Sequence, residues 1–290
     1  MIAITGATGH LGRLVIVELL KKIPANQLVA LVRDPAKAID LSGQGIQVRK
    51  ADYSQPDTLP AALQGVDKLL LISSSEVGRR FEQHRNVITA AKNAGVKLLA
   101  YTSILNAQQS IMDLAFEHRD TEQLIKASGI PFVFLRNGWY SENYTAGIPS
   151  ALQFNVLLGS AGEGKLSLAA RADYAAAAAE VLVRENQQGK IYELAGDQAY
   201  TLADFARELS QQTGKQIPYN DLPKAEYQSI LQSAGLPDWL ADLLASSDAS
   251  AAQGSLYDNS HTLSQLIGRP TTPLATSIKT ALAGATNAAH

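Results

Sequence analysis

The chain has 290 residues, of which 46% are hydrophobic, 18% charged and 6% aromatic; this is enough apolar mass for a sizeable core and excludes a disordered or fibrous polymer. Lys plus Arg number 25 against 27 Asp plus Glu, a net charge of -2, so no global basic field exists to hold a phosphate backbone and nucleic acid is not an expected partner. Cysteine is absent, which removes disulfides, thiolate metal sites and cysteine nucleophiles together and fits a reducing, cytoplasmic compartment.

Short apolar runs with β-branched residues alternate with amphipathic stretches through the first half, the βαβ rhythm of a parallel sheet covered on both faces. Strands are predicted at 2–5, 27–32, 45–49, 68–72, 97–102 and 131–136, with helices at 10–22, 35–41, 56–63, 79–94 and 113–128 between them. The fold class is therefore α/β, a doubly wound parallel Rossmann sheet. After Arg136 the rhythm changes: 137–143 reads as loop, and the stretch to 165, with Pro149 and glycines at 147, 159, 162 and 164, as irregular. A helix over 173–184, built on the alanines 175–179, and a strand over 190–194 return to the main sheet. Thr201-Leu202-Ala203-Asp204 resembles a capping box. Segments 201–213, 223–234, 237–247 and 272–283 read as helices of a smaller, mainly helical second lobe. The expected division is 1–140 with 166–194 as a dinucleotide-binding domain and 141–165 with 195–290 as a substrate-side lobe, the alanine-rich end 281–290 fraying.

The sharpest local signal is Thr5-Gly6-Ala7-Thr8-Gly9-His10-Leu11-Gly12, where a buried strand runs into glycines and then an amphipathic helix. The first glycine permits a tight turn, the second lets backbone approach a pyrophosphate, and the third allows close helix–strand packing, which leaves the helix N-terminus free for an anion. Strand 27–32 ends at Arg33, the position from which an arginine pairs with the 2′-phosphate of NADPH, assisted by Lys37; Asp34 next door leaves NAD open. Ser73, Ser74 and Ser75 close the fourth strand at the carboxyl edge, where ribose and phosphate bind in open α/β sheets, or else form a polar turn.

Other patterns are discounted. Gly159-Ser160-Ala161-Gly162-Glu163-Gly164-Lys165 imitates a phosphate loop, but Leu166 stands where Ser or Thr should hold Mg²⁺ and no buried strand precedes it; a surface hairpin turn is the expectation. The five histidines, at 10, 84, 118, 261 and 290, have no ligand spacing, so no metal site is expected. No apolar run approaches the roughly 20 residues of a bilayer span, and residues 1–14 carry no secretory-signal pattern. None of the ten tyrosines is followed by Lys in a Tyr-x-x-x-Lys pair, which rules out acid catalysis of that kind.

On the helix 113–128, Leu114, His118, Thr121 and Ile125 form one stripe, turning His118 inward toward the sheet edge. There it either gives a proton or hydrogen bond to a substrate oxygen as hydride arrives, or is a core histidine paired with Glu122. After the sixth strand, Trp139 and Tyr140 can wall a flat pocket for an aromatic or quinonoid ring, and Asn143 can bond a carboxamide or carbonyl; packing aromatics at a lobe boundary are the alternative.

Taken together, the opening glycine segment, Val32-Arg33-Asp34-Pro35-Ala36-Lys37, Tyr101-Thr102-Ser103-Ile104, Glu117-His118-Arg119-Asp120-Thr121-Glu122, the run from Leu135 to Tyr144 and Arg171-Ala172-Asp173-Tyr174 resemble the NmrA-like branch of the atypical short-chain dehydrogenases. The likeness covers nearly the whole chain. It implies NADPH contacts from Gly6, Ala7, Thr8, Gly9, His10, Leu11 and Gly12, from Arg33, from Ser73, Ser74 and Ser75, and from Gly138, Trp139, Tyr140, Ser141, Glu142 and Asn143. It also implies two-electron reduction of a quinone bound in the interlobe cleft, with His118, Tyr140 and Asn143 at the reacting end. In related lignan and isoflavone reductases a lysine donates the proton from the position that His118 takes here. Some NmrA-like relatives instead bind NADP(H) without turnover and act as redox sensors through a protein partner, so a protein partner or homo-oligomer stays open.

Overall fold

The computed structural model describes residues 1–287. In chain order its first elements are β1 (Ile2–Ile4), α1 (His10–Leu20), β2 (Leu28–Val32), α2 (Ile39–Gly43), β3 (Gln47–Lys50), α3 (Leu59–Ala62), β4 (Lys68–Leu71), α4 (Arg80–Asn93), β5 (Leu98–Ile104), α5 (Asp113–Ser128) and β6 (Phe132–Asn137). They are followed by α6 (Ser141–Thr145), α7 (Ile148–Phe154), β7 (Leu157–Gly159), α8 (Arg171–Val183), β8 (Ile191–Leu194), α9 (Leu202–Thr213), β9 (Tyr219–Asp221), α10 (Lys224–Ser233), α11 (Asp238–Ala251), α12 (Thr262–Ile267) and α13 (Leu274–Asn287). No helix among the described residues is long and apolar enough to cross a membrane.

The chain divides into two compact units, the first of Met1–Gln108, Leu114–Asn137 and Arg171–Glu193, the second of Gln109–Asp113, Gly138–Ala170 and the residues from Leu194 onward. In the first, a seven-stranded sheet has the order β3-β2-β1-β4-β5-β6-β8. All the pairs from β3 to β6 are parallel. This is the doubly wound Rossmann arrangement read from the sequence, and the order reverses between β1 and β4, whose carboxyl ends form the switch point where such sheets take ligands.

Alternation along the strands sends two sets of side chains to two faces. On one face Val29, Leu31, Leu69, Leu71, Leu99, Tyr101 and Phe134 share a core with Leu59, Val87, Ile88 and Ile125 of α3, α4 and α5. Burying each large side chain here contributes about 1.5–3 kcal/mol. The other face is covered by α1 and α8, which pack on each other. Ala175, Ala176, Ala177, Ala178 and Ala179 of α8 are all buried, because a methyl is the largest group so close a helix can carry.

Toward the carboxyl end of β5 the core face turns polar. Ser103 follows Tyr101 on that face and donates to Glu122 Oε1 at 2.7 Å. Arg136, near the end of β6, grips the same carboxylate with Nε at 2.8 Å and Nη2 at 2.7 Å, while its Nη1 meets Glu193 of β8 at 2.7 Å. Glu193 also accepts the Asn106 amide at 2.8 Å. Glu122 is therefore the partner of Arg136, not of His118 as the core-histidine alternative had it.

Several features of the second unit differ from the sequence reading. The stretch read as loop and irregular contains α6, α7 and β7. Pro149 sits in the first turn of α7 and Asn155 closes it in the left-handed region at φ 53°, so both end signals were present in a segment too short to show periodicity. The 159–165 segment is no hairpin turn, and a strand does precede it: β7 pairs parallel with β9. A Cβ on Gly164 would lie 2.5 Å from Ala251 O and one on Gly159 2.9 Å from Asp248 Oδ2, and the Ser160 amide donates to Asp248 at 3.0 Å, so the loop is packed onto α11 and these two glycines serve that contact. The capping box at α9 is present as read, Thr201 Oγ1 accepting the Asp204 amide at 3.1 Å and Asp204 accepting the Thr201 amide at 2.9 Å. The fraying expected over 281–290 concerns in part 288–290, which lie outside the described residues.

Replacing Glu122, which is fully buried, by Gln leaves a nearly buried guanidinium with one charged partner. We expect Glu122→Gln to lose about 3 kcal/mol of stability in urea unfolding; a change within 0.5 kcal/mol would mean that the clamp is incidental to the fold.

Candidate functional site

The glycine segment forms the turn between β1 and α1. Gly6 adopts φ +56°, which disfavours any side chain, and its carbonyl accepts the Gly9 amide at 2.9 Å. A Cβ on Gly12 would lie 2.3 Å from Gly6 O and 2.9 Å from Ala7 Cα, so only glycine lets α1 start this close to the strand end. Gly9 precedes α1 without any side-chain cap, and no acidic residue lies in the first turn, which leaves the positive end of the helix open to an anion. Ala7 and Leu11 are buried, so these positions can offer a ligand only their backbone; Gly9 and His10 are exposed. A tight cradle that a methyl would fill, open at a helix N-terminus, fits a dinucleotide pyrophosphate.

The ends of β1 and β4 are tied beneath this cradle. The Thr5 hydroxyl donates to Leu70 O at 3.1 Å and accepts the Ile72 amide at 2.9 Å, and the Tyr53 hydroxyl reaches Ile72 O at 2.8 Å. Arg33, at the end of β2, is exposed, with Nη1 3.3 Å from Glu76 Oε1. Asp34 caps the following turn by accepting the Ala36 amide at 3.0 Å, so its carboxylate already serves the backbone.

Ser73, Ser74 and Ser75 follow β4. The Ser73 amide donates to Thr102 Oγ1 at 2.9 Å, and its own hydroxyl oxygen is buried with no hydrogen-bond partner. The Ser74 amide donates to His84 Nε2 at 2.9 Å, and Arg80 Nε donates to Ser74 O. With Nε2 accepting, His84 must carry its proton on Nδ1, facing Thr121 Oγ1 at 3.0 Å. Burial first, then the nearby Arg80 cation, pushes the His84 imidazole down to about 3, which keeps it neutral and able to accept.

His118 does face inward with Leu114, Thr121 and Ile125, and its Nδ1 lies 2.7 Å from the Tyr101 hydroxyl. Burial, reinforced by Arg80 and His84, holds it well below the ordinary imidazole range, and burial likewise raises Tyr101. The group available at neutral pH is thus a neutral imidazole, which can give a hydrogen bond but carries no surplus proton. Sequence reasoning missed Tyr101, His84 and Arg80. Tyr101 lies in an apolar strand and reads as core, while His84 and Arg80 lie on a helix whose inner face carries Gln83 and His84 among apolar residues.

In the second unit, 138–143 opens α6. Gly138 is buried, its amide donating to Leu194 O at 2.7 Å, while Trp139 and Tyr140 are half-buried. The Ser141 amide donates to Ala169 O at 2.9 Å and the Asn143 amide to Tyr140 O at 3.0 Å, so Tyr140 ends an extended segment just before the helix. Next to it, Tyr144 donates to Asp248 at 2.7 Å, and burial raises that carboxyl to about 6.

Residues 1–285 match the NmrA-like family. The chain is 59% identical to quinone oxidoreductase 2 of Escherichia coli (strain K12) over 96% of its own length and 97% of that protein. The crystal structure of the E. coli NADPH-dependent quinone oxidoreductase in complex with NADPH superposes with a TM-score of 0.96 at 58% identity, covering 97% of this chain and all of that one. Triphenylmethane reductase of Citrobacter sp., complexed with NADP(H), superposes with a TM-score of 0.94 at 39% identity, covering 97% and 100%.

The burial of His84 makes stability depend on pH. Its folded value lies below the unfolded one, so the unfolded chain binds the extra proton and stability is lost as pH falls from about 6.5 toward 3. His118, also lowered on folding, acts in the same sense and Asp248, raised on folding, in the opposite one, so the diagnostic quantity is the difference between proteins. Between pH 7 and 5.5 the wild type should lose about 1 kcal/mol more than His84→Gln in urea unfolding; equal losses would mean that His84 is not held neutral.

Proposed function

Because the chain belongs to the NmrA-like family, we propose that it is a cytoplasmic NADPH-dependent two-electron reductase of quinones, converting quinone, NADPH and a proton to hydroquinone and NADP⁺. The observation that carries this reading is the 59% identity to E. coli quinone oxidoreductase 2 along nearly all of both chains. When bound, NADPH supplies the hydride from its nicotinamide ring.

The chain's own contribution is binding and orientation. The backbone of Gly6, Ala7, Thr8, Gly9, His10, Leu11 and Gly12 receives the pyrophosphate at the uncapped start of α1. Arg33 takes the 2′-phosphate through charge-assisted hydrogen bonds, beside Asp34, whose Oδ1 accepts the Ala36 amide. Ser73, Ser74 and Ser75, fixed by Thr102, His84 and Arg80, offer hydroxyl and backbone groups to the nicotinamide half. In the second unit Gly138, Trp139, Tyr140, Ser141, Glu142 and Asn143 are assigned to cofactor and ring contacts, Asn143 giving its amide side chain to a carbonyl. His118, neutral and seated on Tyr101, donates a hydrogen bond to the oxygen on which charge develops, and the proton itself comes from water. A quinone tolerates so mild an acid because its product is a stabilised aromatic hydroquinone.

The test follows nicotinamide absorbance in purified protein with NADPH or NADH, with and without a simple benzoquinone. Rapid quinone-dependent oxidation favouring NADPH is expected, whereas tight NADPH binding with no turnover across several quinones would make the protein a sensor. Arg33→Ala should weaken NADPH binding by about 10- to 100-fold and leave NADH unchanged. His118→Phe should lower kcat by about tenfold, the worth of one neutral hydrogen bond, at unchanged NADPH affinity; turnover at the wild-type rate would remove His118 from the mechanism.

A further inference from the structure

Glu76 holds two arginines at once. Its Oε1 lies 3.3 Å from Arg33 Nη1 and its Oε2 lies 3.2 Å from Arg79 Nη1, one guanidinium on each oxygen. An anion gripped on two sides beside the end of β2 occupies the place and chemistry of a phosphate. We propose that Glu76 is a resident substitute for the 2′-phosphate of NADPH, displaced when the cofactor binds, and that Arg79 then joins Arg33 in holding that phosphate. This rests on the NADPH reading given above.

Exchange requires only a side chain to turn. The backbone around Glu76 is pinned: its amide donates to Ser74 Oγ at 3.1 Å, the Ser74 amide to His84 at 2.9 Å, and the Gly78 amide to Glu117 Oε1 at 2.9 Å. Gln83 Nε2, which donates to Glu76 Oε2 at 2.9 Å, also reaches Ser54 Oγ at 2.9 Å and so keeps a partner when the carboxylate leaves. The arginine side chains are 72% and 63% exposed and that of Glu76 is 35% exposed. Ion pairs this open to water are weak, so a phosphate that brings more charge and more acceptor oxygens wins the exchange. NADH has no group to put there and leaves Glu76 seated. Glu76 therefore keeps both arginines paired in the free protein and lowers the advantage of NADPH over NADH.

Calorimetric titration of the full-length protein with 2′,5′-ADP and with 5′-AMP, fragments that differ by this phosphate, tests the proposal without any turnover. Glu76→Gln should bind 2′,5′-ADP about three- to fivefold tighter, and Arg79→Ala about three- to tenfold more weakly, both with 5′-AMP affinity unchanged. Arg79→Lys should recover part of the loss. Unchanged or weaker 2′,5′-ADP binding by Glu76→Gln, with Arg33→Ala still weakening it, would overturn the substitute role while leaving the cofactor reading intact. Failure of the wild type to prefer 2′,5′-ADP over 5′-AMP would instead overturn both.

Discussion

The close approach of α1 to the turn after β1 is the constraint on which the rest of the site depends. With Gly12 where a methyl would lie 2.3 Å from Gly6 O, the helix axis is drawn onto the strand end and its first turn points out at the switch point of the sheet. The opposite side of α1 is then fixed by Val15, Ile16 and Leu19, all buried, and by the alanine face of α8. The helix N-terminus is thus held by close packing on small residues and left without a side-chain cap of its own. An anion that reaches it meets unpaired backbone N–H groups that no conformational change has to expose.

Beside that cradle the sheet changes character along a single face. Leu99 and Tyr101 of β5 sit in the apolar core, yet the Tyr101 hydroxyl already touches His118, and Ser103, two residues on, bonds Glu122. The same burial that stabilises the strands therefore sets the protonation state of the histidines above them. Removing an imidazole from water penalises its charged form, and Arg80 adds repulsion, so both His84 and His118 are neutral. For His84 this has a structural use, since only a neutral ring can accept from the Ser74 amide. The serine segment is consequently positioned by a group whose chemistry depends on its being buried.

Periodicity made the first unit legible. The predicted strands and long helices agree with the observed ones to within a few residues because each repeats an apolar pattern over enough residues to register, and the glycine turn was visible because its spacing is dictated by backbone geometry. His118 could be turned inward from its stripe, but its partner could not be identified: Tyr101 is far in sequence and apolar in context, whereas Glu122 is one turn away. Glu122 in turn belongs to Arg136 and Ser103, contacts created by the pairing of β5 with β6. Short elements were lost for the converse reason. β7 and β9 are three residues each and acquire meaning only by pairing with one another, and the glycines at 159 and 164, which look like phosphate-loop residues, are explained by α11 lying against them.

Two arginine–carboxylate assemblies in the first unit show how environment decides what the same chemistry does. Arg136 and Glu122 make two parallel hydrogen bonds with side chains 8% and 0% exposed, and Arg136 has a second carboxylate in Glu193. Opening that pair would strand a charge in a low-dielectric interior, a penalty of several kcal/mol, so the assembly is permanent and acts as a fastening for β5, β6, β8 and α5. Arg33, Arg79 and Glu76 carry the same charges, but each arginine meets Glu76 through a single longer contact of 3.3 or 3.2 Å, and water screens the pairs and solvates each partner on separation, which brings the stake to about 1 kcal/mol or less. Such a group can be exchanged by a ligand. Burial makes one carboxylate a structural member, and exposure leaves the other free to yield its place at the end of β2, where the sheet presents a cation beside the pyrophosphate cradle.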